Sequence, residues 1–238
     1  MQRLGMQDFK RLRDIERTKF GHITKQNDVK IQVGARGAKF GPDWIAIDLF
    51  DKSTIIDHNW DIMDLPLDDG TVDCIVCNAV LEHVPYPDLA VFEMHRVLKP
   101  GGNIWVEVPF LQSEHGHPFD FQRWTREGIR ILMQDFTEIS SGISAGAQRW
   151  FSAFAQTAYA HARAKAPDVL IKRGEVSLER LTEKWTKPIV YDSVYFWGEK
   201  NLVIDDCKKA WMLRLKAKYK NREVLTPDSA DAAFPPAA

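Results

Sequence analysis

Glycine and polar residues stand at or just beyond the ends of short apolar runs in the first third of the chain: Gly34, Asp48, Asp61 and Asn78. In an open parallel sheet, ligands bind beyond the carboxyl ends of the strands, so chemistry is expected at these positions. A glycine there lets the backbone approach a ligand closely. A carboxylate such as Asp48 can accept hydrogen bonds from both hydroxyl groups of a ribose. The alternative for Asp48 is a turn-capping role, because Asp51 follows closely.

A second group of polar residues lies in the stretch HGHPFDFQRWT, which contains His115, His117, Asp120 and Arg123. Histidine titrates near neutrality, so His117 or His115 could remove a proton from a substrate, with Asp120 orienting the ring or binding the substrate. Two alternatives stay open. Asp120 could belong to a capping network that starts the next helix, or a His/His/Asp set could hold a metal. The spacing suits no standard chelating face, and we predict no metal site.

His83 is a further candidate for proton transfer, because it follows the run VDCIVC and stands at the mouth of the same crevice. A histidine at the start of a helix also often satisfies local backbone groups, and that alternative stays open for His83.

Alternating strands and helices are required to present these residues. Short apolar runs predict five strands, over 29–33, 44–48, 53–57, 72–77 and 103–109. Apolar residues with a helical rhythm predict a helix between the last two strands, with Asp88 as its cap and Pro100, Gly101 and Gly102 as its stop. Strands of near-continuous apolar character joined by helical crossovers indicate a parallel sheet covered on both faces.

The second half of the chain predicts further helices and two late strands. The strands are expected over 137–143 and 193–198, and the helices over 124–133, 149–166, 177–185 and 208–222. The last of these helices is basic and amphipathic. It either packs on the domain or lies on an anionic membrane surface. The composition of 223–238 predicts disorder.

Composition bounds the class of protein. The chain has 238 residues, 45% of them hydrophobic, and a net charge of −1, which fits a soluble domain and gives no overall field for nucleic acid. The charged N-terminus is unlike a secretory signal.

Cys74 and Cys77 form a CxxC on a strand, where residues three apart point to opposite faces, so neither a disulfide nor a shared metal is expected. We predict a reducing, cytoplasmic environment.

Residues 61–109, DIMDLPLDDGTVDCIVCNAVLEHVPYPDLAVFEMHRVLKPGGNIWVEVP, resemble the class I S-adenosylmethionine-dependent methyltransferase domain typified by enzymes of quinone biosynthesis. The likeness lies in an ordered series: an acidic residue, LP(F/L), an aspartate-rich turn, a strand, xxVLEH and LKPGG. The stretch after Pro109 is similar to the HPxD(F/Y)xRWT of related enzymes in bacterial polysaccharide gene neighbourhoods. The resemblance implies a Rossmann-like, doubly wound α/β fold with a mostly parallel seven-stranded sheet and a helical insertion before the last strand.

The resemblance also implies roles in binding the cofactor S-adenosylmethionine. The family's GxGxG loop, which cradles the methionine part, corresponds to Gly34, Ala35, Arg36 and Gly37. Arg36 replaces the middle glycine and would either reach the cofactor carboxylate or obstruct the pocket, and a plain tight turn is the alternative for the whole loop.

The other cofactor contacts implied by the resemblance come from the strand ends. An acidic residue binds the ribose, which fits Asp48. Asp61 takes the adenine amino group, Ile62 faces the ring with its backbone N–H, and Asn78 lies against the methionine moiety. A different loop aspartate, Asp64, is the alternative to Asp61.

We therefore predict methyl transfer to an oxygen or nitrogen atom of a small molecule or saccharide. The alternative is a non-catalytic, methyltransferase-like binding or regulatory protein, suggested by the altered glycine loop. A nicotinamide dehydrogenase is disfavoured because GxGxxG is absent. The predicted organisation is a helical lead-in (1–28), a methyltransferase domain (29–200, with a helical cover over 147–190), a basic helix (201–222) and a tail (223–238).

Overall fold

The structure, a computed structural model, describes residues 20, 23–25, 28–35, 38–112, 114–116, 118–146, 191–201 and 203–221. The two helices predicted within 147–190, the tail from 223 and almost all of the N-terminal lead-in lie outside these ranges. Within them, no helix combines the length and apolar character needed to cross a bilayer.

The described residues form one mixed sheet of six strands with helices beside it, which confirms the α/β class. The strands are β1 (Lys30–Val33), β2 (Trp44–Ile47), β3 (Val72–Asn78), β4 (Leu98–Pro109), β5 (Thr137–Gly146) and β6 (Tyr191–Glu199). Their order is β2-β1-β3-β4-β6-β5. The first four are parallel, and β6 runs antiparallel to both β4 and β5. Strand order reverses at β1, between β2 and β3, and this is where an open sheet has its crevice.

The third strand predicted over 53–57 is wrong, and the described sheet has six strands where seven were predicted. These residues form turns, and one parallel bridge between Ile47 and His58 marks the sheet edge. In this segment, side chains make hydrogen bonds that a strand would make through its backbone. Asp51 accepts from the backbone N–H of Ser53, and Asp57 accepts from that of Ala46. Short acceptors that bond nearby backbone favour turns over strands.

The helices are a short 3₁₀ turn (Leu81–His83), α1 (Pro87–Val97), α2 (Arg126–Leu132) and α3 (Asp206–Lys220). Side chains cap the last two: Thr125 accepts from Gly128 N, and Asp205 accepts from Lys208 N. Asp88 is not the cap of α1 as predicted. The capping position is Tyr86, without a side-chain bond, and Asp88 lies inside the first turn, where its charge suits the helix dipole.

Hydrophobic cores cover both faces of the sheet. One core joins Ile75 and Cys77 of β3 to apolar residues of all three α-helices, and the other joins Cys74 and Val76 to an aromatic group with Phe20, Phe40, Trp44 and Trp105. Cys74 and Cys77 therefore point to opposite faces, as predicted, and both are free and buried. This alternation along β3 holds the sheet rigid beneath the strand ends.

Candidate active site

A pocket of about 450 Å³ opens beyond the carboxyl ends of β1, β2 and β3. Its volume is in the range of small-molecule sites. Its wall contains Gly34, Asp48, Asp61, Ile62 and His83 among the predicted site residues, and Trp60, Ala79, Val80, Phe119 and Tyr219 among the others. We call the side with Gly34, Asp48 and Asp61 the cofactor edge.

Gly34 is required by conformation and by space. Its φ of +72° is a left-handed value that favours glycine. A Cβ there would collide with the side chain of Val80, so the backbone of β1 runs directly against the turn after β3. Ala35 is buried, with 1% of its surface exposed, and does not line the pocket. Arg36 and Gly37 lie outside the described residues.

Asp48 uses one carboxylate oxygen to hold its own turn. Its Oδ1 accepts from the backbone N–H groups of Phe50 and Asp51, both at 2.8 Å. Asn59 fixes the same turn by donating to the backbone oxygens of Asp48 and Asp51. Turn capping and a ligand contact are therefore compatible, because Oδ1 performs the first and Oδ2 remains for the second.

Asp61 is held in the pocket wall by two hydrogen bonds. Its Oδ1 accepts from Met63 N at 2.9 Å, and its Oδ2 accepts from the hydroxyl of Tyr219 at 2.5 Å. Burial, followed by the bond to Asp61, raises the pKa of Tyr219 above its usual range, so the hydroxyl keeps its proton and donates it. Ile62 is buried beside Asp61 and lines the pocket.

Tyr219 reaches the pocket because α3 is tied down by charges. Lys216 pairs with Asp64 at 2.8 Å and with the buried Glu93 at 2.9 Å, and Lys220 pairs with Asp64 at 2.7 Å. Met212 is buried against the core. Asp64, the predicted alternative to Asp61, thus anchors the C-terminal helix and does not line the pocket.

Asn78 ends β3 but does not line the pocket. The next residue, Ala79, takes its place with a φ of +52°, an unusual value for a residue with a Cβ. Ala79 N donates to Glu107 O at 2.9 Å, which holds this turn to β4. Backbone strain of this kind is concentrated at functional sites.

The far end of the pocket is a polar corner built from the 3₁₀ turn and the loop after β4. We call Glu82, His83, His115 and Asp120 the acceptor corner. His83 Nδ1 lies 2.6 Å from the backbone oxygen of Phe119. Because a carbonyl oxygen only accepts, Nδ1 carries the hydrogen and Nε2 holds the lone pair of the neutral ring. Nε2 lies 3.7 Å from Glu82 Oε1, and the His115 ring packs edge-on at 5.1 Å.

Glu82 is the least expected residue of this corner. It is fully buried, and neither carboxylate oxygen has a hydrogen-bond partner among the residues the structure describes. Burial raises the pKa of Glu82 to about 7, while its own backbone N–H and then the nearby charge of Arg123 oppose the shift. Burying a carboxylate without hydrogen-bond partners lowers the stability of the fold, so Glu82 is a candidate functional residue.

Asp120 anchors the loop that carries His115. Its side chain is buried and pairs with both terminal nitrogens of Arg123, and its Oδ2 accepts from His115 N at 2.7 Å. The hydrogen bonds from Arg123 lower the pKa of Asp120 to about 2. Thr125, not Asp120, caps the following helix. His117 lies outside the described residues, so its predicted role is carried into the proposal below.

Several residues in or beside the pocket were not predicted from the sequence. Tyr219 meets Asp61 across 158 positions, and no local pattern links the two. Glu82 stands in the VLEH segment, but its burial depends on the loop that folds over it. Ala79 and Val80 belong to the same quoted segment, and only the register of β3 against β1 brings them to the pocket.

Comparison with known sequences agrees with this geometry. Residues 45–106 match the family described as a methyltransferase domain. The prediction that the chain carries such a domain, whose class uses S-adenosylmethionine as methyl donor, is confirmed. A 49-residue stretch is 47% identical to an uncharacterized 37.1 kDa protein in transposon TN4556 of Streptomyces fradiae, covering 21% of this chain and 14% of that protein.

Solved structures with a similar arrangement share little sequence with this chain. The [4+2]-cyclase SpnF is 18% identical with a TM-score of 0.49, over 83% of this chain and 82% of its own. Phosphoethanolamine N-methyltransferase 2 of Haemonchus contortus, in complex with S-adenosyl-L-methionine, is 13% identical with a TM-score of 0.49, over 80% and 52%. Geranyl diphosphate C-methyltransferase of Streptomyces coelicolor A3(2) is 14% identical with a TM-score of 0.49, over 82% and 83%. Likeness at this level identifies no substrate.

Proposed function

We propose that this protein transfers the methyl group of S-adenosylmethionine to an oxygen or nitrogen atom of a small molecule or saccharide. The observation that carries the proposal is the pocket at the reversal of strand order, whose wall brings Gly34, Asp48 and Asp61 together with His83. The catalytic domain would comprise residues 29–200. The free cysteines support a reducing compartment, the cytoplasm.

The cofactor edge would bind the donor in an extended form. Asp48 Oδ2 would accept the ribose hydroxyls, while Asp61 and Ile62 would contact the adenine. The methionine part would lie against Gly34 and the turn after Asn78, where the missing Cβ allows close approach. This arrangement would direct the sulfonium toward His83.

The acceptor corner would then hold the nucleophile. In an in-line transfer, the acceptor atom forms a bond to the methyl carbon as the carbon–sulfur bond breaks, and S-adenosylhomocysteine leaves. The acceptor's proton would pass to a histidine of the corner, His83 or His115, or to His117 of the same loop. Asp120 would position the loop through Arg123 and His115 N.

Titration calorimetry with S-adenosylmethionine tests the binding half of the proposal. We expect heat of binding at micromolar to hundred-micromolar concentrations, strongly reduced in Asp48→Ala. Absence of heat from the wild type, with the variant indistinguishable from it, contradicts the proposal. Transfer of methyl-tritiated label to an acceptor in a metabolite extract tests the reaction. Cofactor binding without any transfer, together with a stoichiometric protein partner, would favour the regulatory alternative.

Exposed residues of α3 support a second proposal, contact with an anionic membrane surface. Trp211 and Leu213 are about half exposed on the two flanks of the helix, and the exposed basic residues Arg214 and Lys209 stand one helical turn from them. Basic residues with an aromatic anchor favour such binding. We expect the protein to sediment with vesicles containing phosphatidylserine, less so after Trp211→Ser, and not with purely zwitterionic vesicles. Equal sedimentation of the variant, or none of either protein, would contradict it.

A further inference from the structure

The acceptor corner encloses the buried carboxyl group of Glu82, which lies 3.7 Å from the His83 ring. Glu82 has no exposed surface, and neither of its oxygens receives a hydrogen bond from any described residue. Burying an ionised carboxylate costs several kcal/mol unless an opposite charge or several donors compensate it. The Arg123 side chain nearby is already engaged by Asp120 through both terminal nitrogens. No described residue therefore fully compensates an ionised Glu82, and either protonation or a bound cation would balance it.

Two imidazoles converge on the same point. One ligand-type atom from each of Glu82, His83 and His115 lies within 4.8 Å of the other two. The His83 Nε2 to Glu82 Oε1 distance is 3.7 Å. A tetrahedral zinc centre with bonds of about 2.1 Å holds its ligand atoms roughly 3.4 Å apart. Small side-chain rotations would thus bring the three atoms to bonding positions.

The surroundings of the histidines also fit ligation. Metal-binding histidines usually donate their other ring N–H to a carbonyl or carboxylate, which fixes the tautomer. His83 does so, with Nδ1 donating to Phe119 O. His115 Nδ1 lies 3.6 Å from Asp120 Oδ2, and that carboxylate is itself anchored by Arg123.

We propose that Glu82, His83 and His115 form a binding site for a divalent transition-metal ion of the Zn²⁺ type, at the acceptor end of the pocket. Two imidazoles and one carboxylate are a recurring ligand set for zinc, with further coordination positions left for water or substrate. The sequence predicted no metal site, because the spacing of His115, His117 and Asp120 suits no standard chelating face, and nothing local joins Glu82 to His115.

The proposed metal site adds to the proposed function. Only the part that the cation plays in methyl transfer rests on that function. His83 lines the pocket, so a cation beside it would hold an acceptor hydroxyl or amine at the point where the methyl group arrives. His83 and His115 would then act as ligands, and they would no longer be the groups that take the acceptor's proton. Binding of the cation itself requires neither donor nor acceptor.

Cobalt titration of the chelator-treated, full-length protein tests the site directly. Co²⁺ absorbs visible light when bound to nitrogen and oxygen ligands in a low-symmetry site, so binding gives a spectrum independent of activity. We expect one Co²⁺ per chain, displaced by one equivalent of Zn²⁺. A spectrum that stays that of free Co²⁺ up to several hundred micromolar protein would overturn the proposal.

Matched variants assign the ligands. Glu82→Gln keeps the shape of the buried side chain, and His115→Ala changes a partly exposed loop residue. Each should weaken Co²⁺ binding at least about tenfold. His58→Ala is the control, because this exposed histidine stacks on Trp60 away from the corner, and it should bind as the wild type does. Wild-type affinity in both ligand variants, or equal losses in all three proteins, would refute the assignment.

Calorimetry with S-adenosylmethionine on the same variants separates the two proposals. Glu82→Gln should bind the cofactor as the wild type does, since Glu82 does not line the pocket. If the wild type does not bind the cofactor, the proposed function is contradicted, whereas the cobalt result is unaffected. Methyl transfer by fully chelated protein at the wild-type rate would count against a role for the cation.

Discussion

The cofactor edge and the acceptor corner of one pocket are built in different ways. At the cofactor edge, Gly34 and Asp48 immediately follow strands, and Asp48 is held by the N–H groups of its own turn. At the acceptor corner, His83 and His115 are 32 residues apart and are joined through the Phe119 carbonyl and the Asp120–Arg123 pair. Strand ends with a local turn therefore position Gly34 and Asp48, and a folded loop positions the acceptor corner.

This difference predicts two classes of variant. Changes at the cofactor edge should alter cofactor affinity, whereas changes at the acceptor corner should alter turnover with cofactor affinity preserved. The predictions below run from the largest expected effect to the smallest, and each would weaken the contrast if the two regions responded alike.

Gly34→Ala should cause the largest loss. The substitution combines left-handed strain of about 1–2 kcal/mol with overpacking against Val80 of about 1–3 kcal/mol. Urea unfolding should show a loss of about 2–5 kcal/mol, and calorimetry should show cofactor binding weakened beyond detection. Gly70→Ala is the control, because its φ is +67° but the nearest atom to a new Cβ is at 4.0 Å. An equal loss in both variants would exclude the close approach at Gly34.

Arg123→Met should damage the acceptor corner and spare the cofactor edge. It leaves the buried carboxylate of Asp120 without its bidentate partner, at a cost of about 3 kcal/mol in stability. Methyl transfer should fall at least about tenfold, while the cofactor dissociation constant stays within about twofold. Arg130→Met removes the exposed pair with Glu138 and should cost less than about 1 kcal/mol. Parallel losses of turnover and cofactor binding in Arg123→Met would mean that the corner also shapes the cofactor site.

Asp48→Asn should weaken cofactor binding about 10- to 100-fold without unfolding the turn. An asparagine oxygen can still accept from the N–H groups of Phe50 and Asp51, but its amide group cannot accept ribose hydroxyls. Two lost charge-assisted bonds account for the size of the effect. Calorimetry measures the affinity, and the urea midpoint reports the turn. Unchanged affinity would assign Asp48 to the turn alone.

Tyr219→Phe should have the smallest effect, a roughly two- to tenfold rise in the cofactor dissociation constant. It removes the hydrogen bond of about 1 kcal/mol that positions Asp61. Tyr195→Phe is the control, because its hydroxyl bonds Ser140 at 2.9 Å on a distant part of the sheet. If both variants lose similar stability but only Tyr219→Phe weakens cofactor binding, Tyr219 positions Asp61 for the cofactor. A cofactor effect of equal size in both would indicate a general loosening of the fold.

Most strands and the central helix were predictable because their signals are local. Alternating burial in β3 separated Cys74 from Cys77. The helix α1 ends at Val97, shortly before the predicted stop, and Pro100, Gly101 and Gly102 already belong to β4. The strand over 53–57 was not predicted correctly, because Asp51 and Asp57 bond the backbone that a strand would have paired. Patterns of apolar residues do not reveal such competition.

The sequence by itself determined most strands, the crevice at their ends and the positions of Gly34 and Asp48, because apolar runs and turn residues act over a few positions. Tertiary structure alone decided that Tyr219 supports Asp61 and that Glu82 is enclosed beside His83 and His115. Those contacts depend on α3 docking through Lys216 and on the loop anchored by Arg123. A carboxylate loses its water only when segments distant in sequence pack over it. The buried state of Glu82 therefore depends on tertiary packing.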